Sequence, residues 1–457
     1  MAHASATARS TPQAEPAHDP TPGLTETGAR LTRFFSMGIT ILYPLVGIAT
    51  TTGRARVGDW TKLVILGVLF HIYADVANDV ADLPIDGTDP RRGRDPIVRR
   101  QVSAPWGLWI ALTPLPLMAL LLFDQPIPVA ATLATGVGLL GIYNIAGKTI
   151  PIPFVADFTQ GAGWAALVFV GAEIGGGSTP TTWLAASFVV VFVAMVNGVH
   201  GAVRDVENDR LAGAKTTAVI LGARIRGAGL LLPRSLVAYA GVLQAALAGI
   251  LIGILVANSQ RPGWSWRVAE FLTVVSVLMA VWQILMAFRY RTDLRAAMAA
   301  GTWHLVLTPV GLLMATVLAL GPPLAAATVA AFVAPPLLYG RIVRHVGRQL
   351  PSTTLGEPSR VRRNTDARRS GLWRMTRIGV PITGAMLVLV GAHLGGGAGL
   401  SVIAAMVATG LTIAASNVFN DRCDVIADRI NDRRRPLVVG TVTENEADKF
   451  VLGVSCA

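Results

Sequence analysis

The feature that most constrains this chain is a succession of apolar runs, each long enough to cross a lipid bilayer. They lie near residues 32–52, 61–80, 105–123, 127–147, 154–174, 181–203, 235–257, 267–288, 301–320 and 322–340, then 378–395 and 398–419, with a weaker one starting at Phe450. A helix needs about 20 apolar residues to cross a hydrocarbon layer roughly 30 Å thick. The runs therefore predict an all-α polytopic membrane protein. Composition agrees: 52% of the 457 residues are hydrophobic and 14% charged, where soluble chains carry about 25% charge. Mean hydropathy is +0.54.

The net charge of +12 does not point to nucleic acid, because the basic residues fall between apolar runs. That is the pattern of loops facing an anionic bilayer leaflet. They cluster after the second, fourth, sixth, eighth and tenth runs: Arg91 to Arg100, Lys148, Arg204 to Arg226, Arg289 to Arg295, then Arg341 onward. The bias predicts a cytoplasmic N-terminus and cytoplasmic exits for the even-numbered spans, in the inner or plasma membrane if the source is bacterial. Residues 1–30, rich in Ala, Thr, Pro and His, read as a disordered cytoplasmic tail. Cys423 and Cys456 have no spacing suggesting a disulfide framework or a zinc site.

Carboxylates are costly near hydrocarbon, yet the second run ends in "ANDVADLPID", with Asp79, Asp82 and Asp86 on one helical face and Asp75 a turn earlier. After the sixth run, Asp205 and Asp209 again share a face. Two such clusters on one side of a membrane suit Mg²⁺, which takes oxygen ligands and commonly binds through one or two carboxylates plus substrate phosphates. Arg91, Arg92, Arg94, Lys148, Arg204 and Lys215 flank them. Together these residues predict a site for a metal-bridged diphosphate, with cations stabilising the charge on a departing diphosphate.

In these motifs the chain resembles the UbiA superfamily of intramembrane prenyltransferases. That family carries NDxxDxxxD after its second helix, matched by Asn78, Asp79, Asp82 and Asp86, and DxxxD after its sixth, matched by Asp205 and Asp209. "YNIAGK" places Tyr143 and Lys148 where the family often has a Tyr followed by a basic residue. The resemblance covers about residues 30–340 and implies a bundle of nine helices around a central cavity capped by the Asp-rich loops. It also implies ionisation of an allylic prenyl diphosphate with Mg²⁺ and capture of the cation by an acceptor. Asp79, Asp82, Asp205, Asp209 and Lys148 are then the expected catalytic residues, and the five motif aspartates the metal ligands. Asn78, Asp86, Arg91, Arg94, Tyr143, Asn197, Arg204, Lys215 and Asp157 are expected to bind substrate.

Many aromatic prenyltransferases of the family carry an Asn in the first helix; here Ser36 and Thr40 stand there, so the acceptor is left open. Within the fold the alternative is a terpene cyclase, in which the substrate's own double bond captures the cation. A secondary transporter is a third class, disfavoured by two metal-type clusters on one side. Polar groups inside other spans, namely His71, Tyr73, Asp157, Gln160, Asn197, His200 and His304, each have a plainer reading as interhelical hydrogen bonds; an ionisable one such as Asp157 is a functional candidate.

The first motif returns near the C-terminus. "NDRCDVIAD" sets Asn420, Asp421, Asp424 and Asp428 where Asn78, Asp79, Asp82 and Asp86 stand in the first copy, with Arg374 and Arg377 as a basic entry. The domains expected are the tail (1–30), a UbiA-type domain (31–320), an extra crossing helix and basic linker (321–377) and an incomplete second repeat (378–457). That repeat is either degenerate or the opening of a longer tandem. With one carboxylate cluster it is expected to hold no catalytic site of its own and to be dispensable for turnover. Homo-oligomerisation is compatible with the sequence.

Overall fold

The computed structural model describes residues 23–51, 55–89, 92, 95–150, 152–226, 229–259, 263–289, 294–346, 365–394, 400–423, 425 and 435–455. The elements in chain order are α1 (Leu24–Leu31), α2 (Met37–Ala49), α3 (Val57–Asp86), α4 (Ala104–Leu112), α5 (Pro114–Leu121), α6 (Ile127–Ala146), α7 (Pro153–Ile174), α8 (Pro180–Met195), α9 (Ala202–Leu211) and α10 (Thr217–Ile220). A two-stranded antiparallel hairpin follows, β1 (Arg224–Arg226) paired with β2 (Gly229–Leu231). Then come α11 (Arg234–Asn258), α12 (Trp264–Arg289), α13 (Leu294–Thr316), α14 (Pro322–Val346), α15 (Thr365–Thr376), α16 (Gly379–Leu394), α17 (Leu400–Cys423) and α18 (Glu444–Ser455).

The starts of several helices are written locally. Proline stands in the first turn of α4, α5, α6, α7 and α8, where its missing N–H costs nothing and its fixed φ suits a helix. At α8, Thr179 and Thr182 form a reciprocal cap: the Thr182 N–H donates to Thr179 Oγ1 at 3.2 Å and the Thr179 N–H to Thr182 Oγ1 at 2.9 Å.

Among the described residues ten helices are long and apolar enough to cross a membrane, eleven if the bent α1–α2 pair counts as one. Sequential neighbours pair as antiparallel hairpins, α6 on α7, α7 on α8 and α12 on α13, while α2 runs through the middle against α3, α7 and α14. Phe70, Phe188, Leu42, Leu45, Leu63 and Leu66 are fully buried there, and the Trp164 ring meets Phe70 edge-on at 5.4 Å. Trp106, Trp109, Leu120 and Phe123 point outward, as lipid-facing side chains do.

The structure corrects two expectations. Part of the segment expected as a disordered tail, 1–30, is ordered: Leu24–Leu31 is helical, with the Arg30–Glu26 pair one turn apart stapling it at 2.6 Å. The first span starts at Phe34 and not at residue 32, because the chain turns at Arg33, which adopts a left-handed φ of 43°, so that Leu24–Leu31 meets Phe34–Ala49 at 57°. The described part of the run at 378–395 is a helix of 16 residues, Gly379–Leu394.

Candidate active site

The helix α3 continues beyond its apolar stretch, so that Asp75, Asp79, Asp82 and Asp86 follow one another along a single face. The short α9 brings Asp205 and Asp209 to the same end of the bundle. Asn208 stitches the two helices together: its amide donates to Ile85 O at 3.0 Å and its Oδ1 accepts from Thr88 Oγ1 at 3.2 Å. The loop after α9 is tied to the loop after α6 by the Lys215 N–H, which donates to Lys148 O at 2.8 Å. The Lys215 side chain itself is exposed.

Two cations bridge the motifs. Lys148 Nζ lies 3.2 Å from Asp82, 3.7 Å from Asp209 and 4.0 Å from Asp86. Arg92 lies 3.0 Å from Asp205 and 3.5 Å from Asp86. Charges about 4 Å apart interact by roughly 4 kcal/mol at an effective dielectric of 20. Carboxylates this crowded, with Asp86 and Asp209 buried, require such compensation. It is incomplete: Asp209 Oδ1 is buried and has no hydrogen-bond partner. A third cation, Arg33, pairs with Asp75 at 3.1 Å and with Asp79, and donates to Asn78 Oδ1 at 3.4 Å.

Beside this cluster opens a cavity of about 1110 Å³. Arg33, Asp75, Asp79, Arg92 and Arg204 belong to its polar mouth, while Asp82, Asp86, Asp205, Asp209 and Lys148 stand just behind Arg92 and Arg204. The deeper wall is apolar, and Leu230 and Leu232 of the hairpin segment help cover it. Asn197 and His200 reach this wall from a π-helical turn at Val196–Gly201. Such turns re-aim side chains by one extra residue and occur often at functional sites. Gln160 Oε1 and Asn197 Nδ2 are buried without partners in the same wall, so a substrate's polar group entering here finds open partners.

The other expected residues divide. Asn78 also reaches Asn144 at 3.4 Å. Tyr143 sits half-buried at the end of α6, its ring against Gly147. Arg204 pairs with its neighbour Asp205 at 2.7 Å. Arg91 and Arg94, like Asp424 and Asp428, lie outside the described residues. Asp157 does not line the cavity: its Oδ2 accepts from Thr217 at 2.5 Å and Tyr239 at 3.3 Å, holding α10 and α11 against α7. His304 bridges His200 at 3.0 Å and Gln244 at 2.7 Å, and Tyr73 donates to Val137 O at 2.9 Å, both interhelical bonds. His71 contacts Thr40 and Asp75 at 2.9 and 3.0 Å, so the polar group of the first span is already engaged.

Arg33 and Asn208 are the site residues that motif reading missed. A signal for Arg33 existed: Arg30 and Arg33 precede the first span as Arg374 and Arg377 precede its later copy. Asn208 had none, since its role depends on a contact 123 residues away.

Residues 41–300, more than half of the chain, match the family described as the UbiA prenyltransferase family. Among solved structures, the chain resembles an apo UbiA homologue from Aeropyrum pernix K1 at 18% identity and a TM-score of 0.48, over 61% of this chain and 94% of that one. It also resembles a UbiA homologue from Archaeoglobus fulgidus bound to GPP and Mg²⁺, at 15% identity and a TM-score of 0.45, over 63% and 99%. A third is a digeranylgeranylglyceryl phosphate synthase structure, at 13% identity and a TM-score of 0.46, over 65% and 98%. No curated protein matches. With both Asp motifs gathered at one end of a helical bundle, and the family matched over residues 41–300, the chain belongs to the UbiA prenyltransferase family.

Proposed function

We propose that this protein is a Mg²⁺-dependent intramembrane prenyltransferase, ionising a prenyl diphosphate at its Asp-rich end and transferring the prenyl group to an acceptor in the cavity. The observation that carries the reading is the meeting of Asp82, Asp86, Asp205 and Asp209 around Lys148 and Arg92, with Arg92 joining this cluster to the polar mouth of an apolar cavity. The donor set fits Mg²⁺. It consists of carboxylate oxygens, one of them without a hydrogen-bond partner. Among the described residues no three acidic, sulfur or imidazole groups converge closely enough to hold an ion alone; diphosphate oxygens would supply the remaining ligands. When bound, Mg²⁺ would neutralise charge on the diphosphate as it departs.

The chain's own residues do the rest. Lys148 and Arg92 stabilise the leaving diphosphate, which takes the electron pair of the broken C–O bond. Arg33 holds Asp75 and Asp79 in place. The apolar wall shelters the allylic cation from water until the acceptor attacks it and loses a proton.

Membranes containing the protein, given labelled prenyl diphosphates, are expected to release diphosphate with Mg²⁺ and to stop in EDTA. Full activity in EDTA would remove the metal from the reaction. Cyclic hydrocarbon formed without added acceptor would assign cyclisation in place of transfer.

The Asp-rich end is proposed to face the cytoplasm. Cysteines at Gly87 and Ala212, in a background lacking Cys423 and Cys456, should react with impermeant maleimide only from the cytoplasmic side, and one at Ser178 only from outside. Reversed labelling would invert the orientation.

A further inference from the structure

The C-terminal repeat copies the backbone of the first and changes two of the charges around its leading aspartate. Arg377 takes the left-handed conformation of Arg33, with φ of 51° against 43°. Met375, Val418 and Leu437 are buried together where Leu31, Val76 and Ile97 are buried in the first copy. The turn after the Asp motif also repeats: Val102 N–H donates to Pro96 O at 3.2 Å, and Val442 N–H to Pro436 O at 3.2 Å.

Upon this shared frame two of the acids, those at Asp75 and Asp95, have been replaced while Asp421, Asp424 and Asp428 are kept. Asn417 stands where the first copy has Asp75, and its amide donates to Thr376 O at 3.0 Å. Arg435 stands where the first copy has Asp95. In the first copy one guanidinium, Arg33, serves two carboxylates, Asp75 and Asp79. In the second, one carboxylate, Asp421, serves two guanidiniums, Arg377 at 2.6 Å and Arg435.

Arg374 sharpens the difference. Its counterpart, Arg30, is neutralised by Glu26 at 2.6 Å, but the matching position upstream of Arg374 is Ser370. Arg374 is exposed, and no ion pair engages it among the described residues. All four arginines, Arg30, Arg33, Arg374 and Arg377, line the same cavity. Behind Arg374 the wall is apolar, formed by Val380, Ile382 and Met386 of α16 and by Phe332 and Leu337 of α14. These residues lie outside the family-matched segment. The repeat thus contributes to the cavity wall.

From this we infer that Arg374, assisted by Arg377, binds the anionic headgroup of an amphiphile whose apolar chain lies along α16 and α14. The headgroup is a phosphate monoester or a carboxylate, which a guanidinium holds through paired hydrogen bonds. An unpaired guanidinium at the edge of an apolar cavity is suited to an amphiphile carrying both halves. This molecule is the acceptor, an assignment that rests on the donor diphosphate lying at Lys148 and Arg92.

The probe is radiolabelled dodecyl phosphate, bound to the full chain purified in a neutral detergent. Saturable binding is expected, displaced by unlabelled dodecyl phosphate and not by equal concentrations of inorganic phosphate or dodecanol. Arg374→Gln should weaken it at least tenfold at an unchanged thermal midpoint, and Arg374→Lys should recover part of the loss. Undiminished affinity in Arg374→Gln overturns the site. So does displacement by inorganic phosphate as effective as by dodecyl phosphate, which would mean a headgroup site without a chain. Loss in Lys148→Ala with retention in Arg374→Gln would place the probe at the donor cations and likewise overturn it. Diphosphate release from labelled prenyl diphosphate is measured separately: if it fails while Arg374-dependent binding persists, the donor assignment falls and the anion site stands.

Discussion

Asp209→Asn is expected to lower turnover by about 10²–10³-fold while leaving the fold intact, a loss comparable to removing one preorganised charge-stabilising group. The substitution keeps the shape of the side chain, removes its charge and exchanges one acceptor oxygen for an NH2 donor. Asp209 is 2% exposed, its Oδ1 lacks a hydrogen-bond partner, and among the described residues Lys148 is the cation within ion-pair reach, at 3.7 Å. On the proposed function this oxygen is a ligand position for the metal that arrives with the diphosphate. Asp82→Asn should behave alike, because Asp82 meets the same ammonium from the other motif at 3.2 Å. Diphosphate release at saturating Mg²⁺, normalised to folded protein by thermal midpoint, is the measurement. Turnover within a few fold of wild type in both variants would mean that the gathered carboxylates serve the bundle and not the reaction.

Gly171→Val should prevent the bundle from assembling. A Cβ at Gly171 would collide with Pro44 O and lie 2.8 Å from Pro44 C and 3.1 Å from Ile48 N. The reverse contact is equally close, since a Cβ at Gly47 would collide with Val168 O and lie 3.0 Å from Ala172 N. Neither obstacle is a flexible side chain, so α2 and α7 must separate. Without a hydrophobic force between helices in lipid, close backbone approach through small residues is what holds such a pair. Overpacking of this kind costs about 3 kcal/mol, and here it falls on the central helix. The expected result is loss of the monodisperse peak on size exclusion in mild detergent, with Gly138→Val as control because nothing lies within 4 Å of its Cβ. A monodisperse Gly171→Val protein with wild-type thermal midpoint would show that the α2–α7 interface is not close-packed as described.

Much of this protein was legible in its sequence, and the reason is that the informative patterns are local. An apolar run of about 20 residues is a helix in lipid whatever surrounds it. The spacing of Asp75, Asp79, Asp82 and Asp86 places them on one face through the helical period alone. The constant register between the first motif and Asn420, Asp421, Asp424 and Asp428 exposed the repeat before any packing was known. What the tertiary structure decided is which charge answers which. Arg92 meets an aspartate 113 residues away, Arg33 meets Asp79 at a separation of 46, and Asn208 clamps a carbonyl of α3. No period or motif encodes such pairs. They form because buried charges must find partners, and only the packed bundle determines which are near. The same holds for Arg374: the sequence shows a basic residue ahead of an apolar run, and packing of α16 against α12 and α14 makes it part of the cavity wall.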